Sequence, residues 1–309
     1  FFIIKSLFIN HNIFKIKKFC YFINMESNLL LSRTFMILGG MLVLTTFTAR
    51  INKAFETSLE TFITVGGSFI MLLLIMFNAD TYPMNIIFVG IFSLFMGWSL
   101  GPTIAYIGEN FKFRKYLKSK QVVSKSVAKV EKSNIEKFFG AKEEKHTVYY
   151  FKHSPEKIFE RESDEFRKLI DDFEKNVLPH DRYNQEWQNI VFQALIGTTL
   201  AVLLTALINI SFDYDFGFLG PVLFICLFAL IIMEFLNAFY FKSKRRRLLQ
   251  AYAGVIIFTF YLIYDFNRLE KAIAAGDTSW STAIDIAVNL YLDIINLFID
   301  LLTILAESE

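Results

Sequence analysis

At 309 residues, with 54% hydrophobic side chains and 36 Phe, the chain is greasier than an ordinary soluble domain, which is nearer half apolar and about a quarter charged. The charge is also unevenly spread: residues 111–187 hold 32 charged side chains in 77 positions, 18 basic and 14 acidic, leaving 30 for the other 232. The net charge of +2 therefore averages two different materials, and nothing in it points to a nucleic-acid partner. Two cysteines, Cys20 and Cys226, make a disulfide framework unlikely to organise the fold.

In chain order, the first 24 residues contain four lysines and no acid, and they precede Met25, an internal or a true start. One reading is an organelle-targeting leader, which favours the mitochondrial inner membrane over a bacterial plasma membrane or the endoplasmic reticulum. The other readings are a lipid-surface helix or a chain-boundary artefact. Segments follow that meet the requirement of about 20 mostly apolar residues per bilayer crossing. They are Thr34–Ala49, Thr61–Asn78, Met84–Ile107, Asn189–Ile210, Phe216–Phe241, Leu248–Phe266 and Trp280–Ala306. Each is apolar around its whole circumference, and backbone groups in lipid must bond internally. The expected fold class is therefore an all-α membrane protein, a seven-helix bundle with a small soluble α-rich insert. The expected division is 1–29 as leader or tail, 30–110 as spans one to three, 111–187 as the insert, and 188–309 as spans four to seven. Gly39-Gly40, Gly66-Gly67 and the Gly97/Gly101 pair offer close helix approach, read chiefly as packing. Pro102 is expected to kink or end its helix.

Within the insert, residues 112–145 carry 11 basic side chains against four acids. That stretch reads either as an anionic-lipid or partner-docking surface or as a solvated helix leaving the membrane. His146–His153 has the character of a short strand. Ser154-Pro155-Glu156 reads as a helix N-cap, with Ile158, Phe159, Phe166, Leu169, Ile170, Phe173 and Val177 at helical spacing until Pro179. No glycine-rich phosphate loop, CxxC pair or HExxH is present. His11, His146, His153 and His180 lack ligand spacing, so neither an enzyme, a resident metal nor a cofactor is expected.

Acids inside spans are costly and mark functional positions. Asp265 lies near the end of the sixth span. The seventh carries Asp285, Asn289, Asp293, Asn296 and Asp300 at spacings of 4, 4, 3 and 4, one helical stripe about four turns long. Glu234 in the fifth span is a further candidate partner. Such a stripe belongs against protein or water, in an ion or proton pathway; the alternative is hydrogen-bonded glue between helices.

The segment Asn289–Phe298, NLYLDIINLF, resembles the closing signature of the transmembrane Bax inhibitor motif family (Bax inhibitor-1-like). GVIIFTFYLIYD at Gly254–Asp265 is similar to that family's sixth helix. Gln193-Ala194 and DFGFLG at Asp215–Gly220 are similar too. The resemblance implies a seven-helix bundle wrapped around its last helix. It also implies a proton-sensitive calcium leak and a role in cell death or membrane-protein quality control, with Ca²⁺ as cargo. It places the sensing pair on Asp265 and Asp293, whose carboxyls should lie within about 4–6 Å and share a proton. Some family members add an arginine around the second helix, but no Lys or Arg occurs here between Ala54 and Phe111. The second functional reading is a non-catalytic accessory subunit of a larger membrane complex, docked through residues 111–187, with membrane lipids as the other partner. Arg50, Lys53, Lys112–Lys120 and Lys242–Arg247 share one side of a seven-span topology, which places the insert on the cytoplasmic or matrix side.

Overall fold

The computed structural model describes residues 29–129, 144–180, 182–212, 214–237, 240 and 243–308. The lysine-bearing first 24 residues, with His11 and Cys20, lie outside them, as does part of the basic stretch 112–145. The elements in order are α1 (Leu29–Ile51), α2 (Ser58–Phe77), α3 (Met84–Ser119), β1 (Val122–Lys129), β2 (Glu144–Phe151), β3 (Ser154–Phe159), α4 (Asp164–Asn176), α5 (Asn184–Ser211), α6 (Leu219–Leu236), α7 (Lys244–Ala274) and α8 (Trp280–Ser308). Among the described residues, α1, α2, α3, α5, α6, α7 and α8 are the helices long and apolar enough to cross a membrane. Residues Ile107–Asn189 form one compact unit and the remaining described chain forms the other.

The helical unit inverts the usual arrangement of apolar surface. Phe62 and Phe77 on α2 and Phe224 and Ile225 on α6 are each more than two-thirds exposed. In water that surface would aggregate; against lipid tails it costs nothing, so burial is left to report helix–helix packing alone. By that measure α8 is the central helix: half of its most apolar stretch is buried, against 11% for α2 and α6. Tyr291 of α8 is fully enclosed, its hydroxyl 2.5 Å from Thr45 Oγ1 of α1 and its ring edge-on to Phe92 of α3 at 6.0 Å. Leu301 of α8 reaches Gly197 of α5, and α7 runs along the same helix.

Glycine spacing explains one crossing and not the others. A Cβ at Gly97 would stand 2.3 Å from Thr45 O, and one at Gly101 would stand 1.9 Å from Asn52 O. The four-residue pair is thus the seam where α3 meets the α1 backbone. Gly39, Gly40 and Gly66 meet nothing within 4 Å, so the first pair makes no close approach, whereas a Cβ at Gly67 would stand 3.0 Å from the Phe95 ring of α3. Pro102 does not end its helix either: α3 continues through it to Ser119. Proline leaves the carbonyl four residues back, on Trp98, without its helical donor. The Asn52 side-chain amide donates to that carbonyl at 2.8 Å. A neighbouring helix has replaced the missing bond, the way interrupted helices are tolerated in lipid.

The second unit is mixed rather than α-rich. Its antiparallel sheet runs in the order β1-β2-β3, with Val122 opposite Phe151 and Tyr149 opposite Phe159. The strand expected at residues 146–153 is β2. The helix expected from Ser154 is not there: Ser154–Phe159 is β3, and the helix begins after Ser163, whose hydroxyl accepts from Phe166 N at 3.2 Å. Asp164 and Glu165 complement the positive end of that helix. Pro155 fits β3 because that strand has only one neighbour and can spare a donor. Phe166, Leu169, Phe173 and Val177 still make a core with Tyr116, Val122 and Phe159, and Tyr149 stacks on Phe166 at 4.5 Å. Outside this core, Asp172 accepts from Tyr116 Oη at 2.5 Å and Asn176 Nδ2 at 2.7 Å, and pairs with Lys120 at 3.0 Å. Those donors, Tyr116 foremost, hold its carboxyl well below the usual carboxylate range.

Candidate proton and cation site in the helix bundle

The helical spacing of acids on α8 and the last turns of α7 bring the central polar cluster together. Asp265 on α7 is 2% exposed and Asp293 on α8 is 5% exposed. Their side chains face each other between α7 and α8, close enough to interact. Asp293 Oδ2 is buried with no hydrogen-bond partner. Two buried carboxyls side by side cannot both ionise cheaply, which favours a proton shared between them.

A cation braces the pair from an unexpected place. Arg268 follows Asp265 by one turn of α7, and its Nη1 lies 3.3 Å from Asp265 Oδ1. Its Nη2 donates to Asp285 Oδ2 on α8, and its guanidinium lies 5.7 Å from the Tyr264 ring centroid. The counter-charge absent from the second helix is therefore supplied by the sixth. The sequence signal was the Asp265/Arg268 spacing of three, which puts both side chains on one helical face. Asp285 also gains a role from it, as the outer anchor of the arginine. Asn289 Nδ2 donates to Asp285 Oδ1 at 3.2 Å and so extends the network along α8.

The other residues of the stripe stand apart. Asn296 Nδ2 returns to its own helix, donating to Leu292 O at 2.9 Å. Asp300 is half-buried where α8 crosses α7: a Cβ on Gly254 would stand 2.0 Å from Asp300 Oδ2, so only glycine leaves room for that carboxyl. Glu234 on α6 is its charged neighbour, itself on an exposed helix face. The stripe thus resolves into two acidic places, one with a cation and one without. Among the described residues no group of three or more His, Cys, Asp or Glu could hold a metal ion.

The segment before α6 is tied to the same end of α7 as Arg268. Asn267 Oδ1 accepts from Phe216 N at 3.2 Å and its Nδ2 donates to Tyr214 O at 3.3 Å. Asp215 accepts from Gly217 N at 2.7 Å and pairs with Lys271. Lys271 and the Gly217 amide pull the Asp215 carboxyl below its ordinary range.

Seven apolar helices, six of them packed around the last, with paired acids buried between the last two, define a multi-pass integral membrane protein. The chain belongs to the Bax inhibitor-1 family: the family described as inhibitor of apoptosis-promoting Bax1 matches residues 27–115 and 182–309. The gap in that match falls within the mixed α/β unit. Protein LIFEGUARD 4 of Arabidopsis thaliana is 35% identical over 123 residues, 39% of this chain and 48% of the relative. An uncharacterized protein of Campylobacter jejuni is 34% identical over 116 residues, 38% and 47% of the two chains. The Golgi anti-apoptotic protein of vaccinia virus strain Lister is 33% identical over 121 residues, 39% and 48% of the two. These alignments span about half the length of the curated relatives.

Proposed function

We propose that this protein is a proton-sensitive calcium or cation leak gated by Asp265 and Asp293. The observation that carries the reading is the pair of buried carboxyls facing each other on α7 and α8, where a shared proton is the cheap state, with an Asp293 oxygen that has no partner. While the proton is present it ties α7 to α8. Once it leaves, two carboxylates face each other in a poorly solvated place and repel. Arg268 can neutralise one of them, not both, so the remaining charge drives α7 and α8 apart or recruits a cation. Carboxylate oxygens are hard ligands suited to Ca²⁺. The cation is cargo here, held only in passing by the pair.

In the cell, we propose a restraint on apoptosis, which the name of the vaccinia relative supports. For location, we propose the mitochondrial inner membrane, supported by the four lysines and absent acids of residues 1–24. The test of the leak is calcium flux into liposomes carrying the purified full chain. Flux should rise with pH and the rise should vanish in Asp293→Asn. Absence of flux at every pH from well-folded protein would overturn the reading.

One observation favours a second role alongside it. The unit 107–189 has its own aromatic core and falls largely outside the family match. A compact addition to a conserved bundle is suited to docking a membrane-complex partner. Deleting 118–179 should leave the seven spans foldable and abolish stable co-purification of that partner; unchanged co-purification would remove the docking role.

A further inference from the structure

Between the end of α1, the start of α2 and the facing turns of α3 lies a cavity of about 630 Å³ that the acid pair does not use. Its walls are apolar: Leu59 and Ile63 of α2, with Ile91, Leu94 and Phe95 of α3. Leu59, Ile63 and Leu94 are also exposed, so the cavity opens on the lipid-facing side of the bundle. Its size, and a lining that is apolar apart from a few polar groups, are those of a small-molecule site.

The polar end of the cavity is built by Glu60 and Trp98. Trp98 Nε1 donates to Glu60 Oε1 at 2.7 Å, and Glu56 N donates to Glu60 Oε2 at 2.7 Å. Thr57 Oγ1 accepts from Glu60 N at 3.1 Å, so α2 is already capped by its own residues. Two N–H groups therefore hold the carboxylate in place, and each of its oxygens can accept once more. Neither donor carries a charge. Glu60 is the single charged residue among those lining the cavity. No Lys or Arg occurs between Ala54 and Phe111, so α2 and the apolar length of α3 offer it no cation. A half-buried carboxylate in that position has given up part of its water without gaining a counter-charge, a cost that a cation from outside would offset.

Depth orders the site. Glu60 stands in the first turn of α2, level with Trp98, and Ile91 lies seven residues back along α3, about 10 Å deeper. A fixed negative charge at the end of a span thus leads into an apolar slot.

We propose that this cavity binds a long-chain aliphatic primary amine in its protonated form. The ammonium donates to Glu60, and the hydrocarbon chain lies along Ile63, Phe95 and Ile91. A fatty acid would set two carboxylates against each other, and a phospholipid would find no cation in the lining to meet its phosphate. The inference does not depend on conduction by the acid pair, and its test reads binding alone.

The experiment is native mass spectrometry of the delipidated full chain in non-ionic micelles holding equimolar tetradecylamine and tetradecanol, which share a chain and differ in head. One bound tetradecylamine should predominate. Glu60→Gln keeps both acceptor oxygen positions filled by acceptor or amide and removes the charge, and should reduce that preference about tenfold, the weight of one charge-assisted hydrogen bond. Leu94→Trp, filling the cavity from an exposed position, should release both compounds while the helical circular dichroism is unchanged. Equal retention of amine and alcohol by the native chain, or an unaltered preference in Glu60→Gln, would overturn the proposal. So would a preference for dioleoylphosphatidylethanolamine over tetradecylamine in a second competition, which would assign the slot to a bilayer headgroup.

Discussion

Asp293 and Asp172 are the same residue solved in two ways. Asp172, at the surface of the mixed unit, has three donors and water within reach, and its charge is fixed. Asp293, inside the bundle, faces another acid and has an oxygen with no partner. The first is an electrostatic clasp whose removal changes little. The second is a group whose environment suits neither charge state fully, the condition under which one proton can decide a structure. The difference comes from the neighbours, since Tyr, Asn and Lys meet the α4 acid while another buried acid faces the α8 one.

The comparison can be broken most directly at the pair. Native flux in liposomes should rise by about tenfold per pH unit at most, the slope of one shared proton, and Asp265→Asn or Asp293→Asn should reduce the slope to near zero. Asp300→Asn should leave the slope in place. If Asp300→Asn flattened it equally, the two acidic places would be one pathway and the contrast between them would disappear.

Arg268 sharpens the contrast next. Arg268→Gln removes the brace from Asp265 and the bridge to Asp285, and should lower bundle stability in detergent by about 2 kcal/mol, below the cost of breaking a fully buried pair because the arginine is partly exposed. The onset of flux should move to higher pH, since the departing proton then leaves a carboxylate with no cation beside it. An unmoved onset would show that Arg268 serves packing alone.

A neutral counterpart tests whether polar groups in the bundle matter without charge. Asn52→Leu leaves Trp98 O without a donor and should cost about 1 kcal/mol, with no effect on the pH profile of flux. A change in that profile would show that the α1–α3 seam belongs to the gate.

The smallest effect is expected at Asp172. Its carboxyl titrates lower in the folded unit than in the unfolded chain. Its contribution is therefore complete above the ordinary aspartate value of about 3.9 and lost as pH falls through the folded value. Asp172→Asn should lower stability at neutral pH by a small amount, since the site is solvated, and remove part of the acid sensitivity, followed by near-ultraviolet circular dichroism of the Tyr149 and Trp187 environments. A large loss at pH 7 would mean that Asp172 is as finely placed as Asp293.

Much of this was legible in the residues. Spans announce themselves because lipid rewards every apolar position on a helix, so the signal accumulates over a long window. The stripe Asp285–Asp300 was legible for the same reason of period, and the family signature singled out Asp293 within it and Asp265 on α7. What the stripe could not show is which neighbour meets each acid, and it split into two places because Gly254 and Arg268 stand at different heights of α7. Ser154-Pro155-Glu156 misled because its chemistry fits both a helix start and an edge strand, and pairing with β2 decided between them. Ser163, the actual cap, carries the same signal nine residues later.

The bond from Asn52 to Trp98 O also bears on how the chain enters its membrane. Synthesis delivers α1 before α3, so the amide is already in place when the proline-interrupted helix arrives with a carbonyl that its own backbone cannot satisfy. Biogenesis thereby has a built-in sequence, in which α1 receives α3 and the crossing at Gly97 and Gly101 closes around that one bond. A chain whose first span, together with Asn52 just beyond it, was exchanged for a generic leucine helix would still present seven hydrophobic segments to the insertion machinery. Its third segment would enter with an unanswered polar group, and partial retention of that segment outside the bilayer would be the first visible defect.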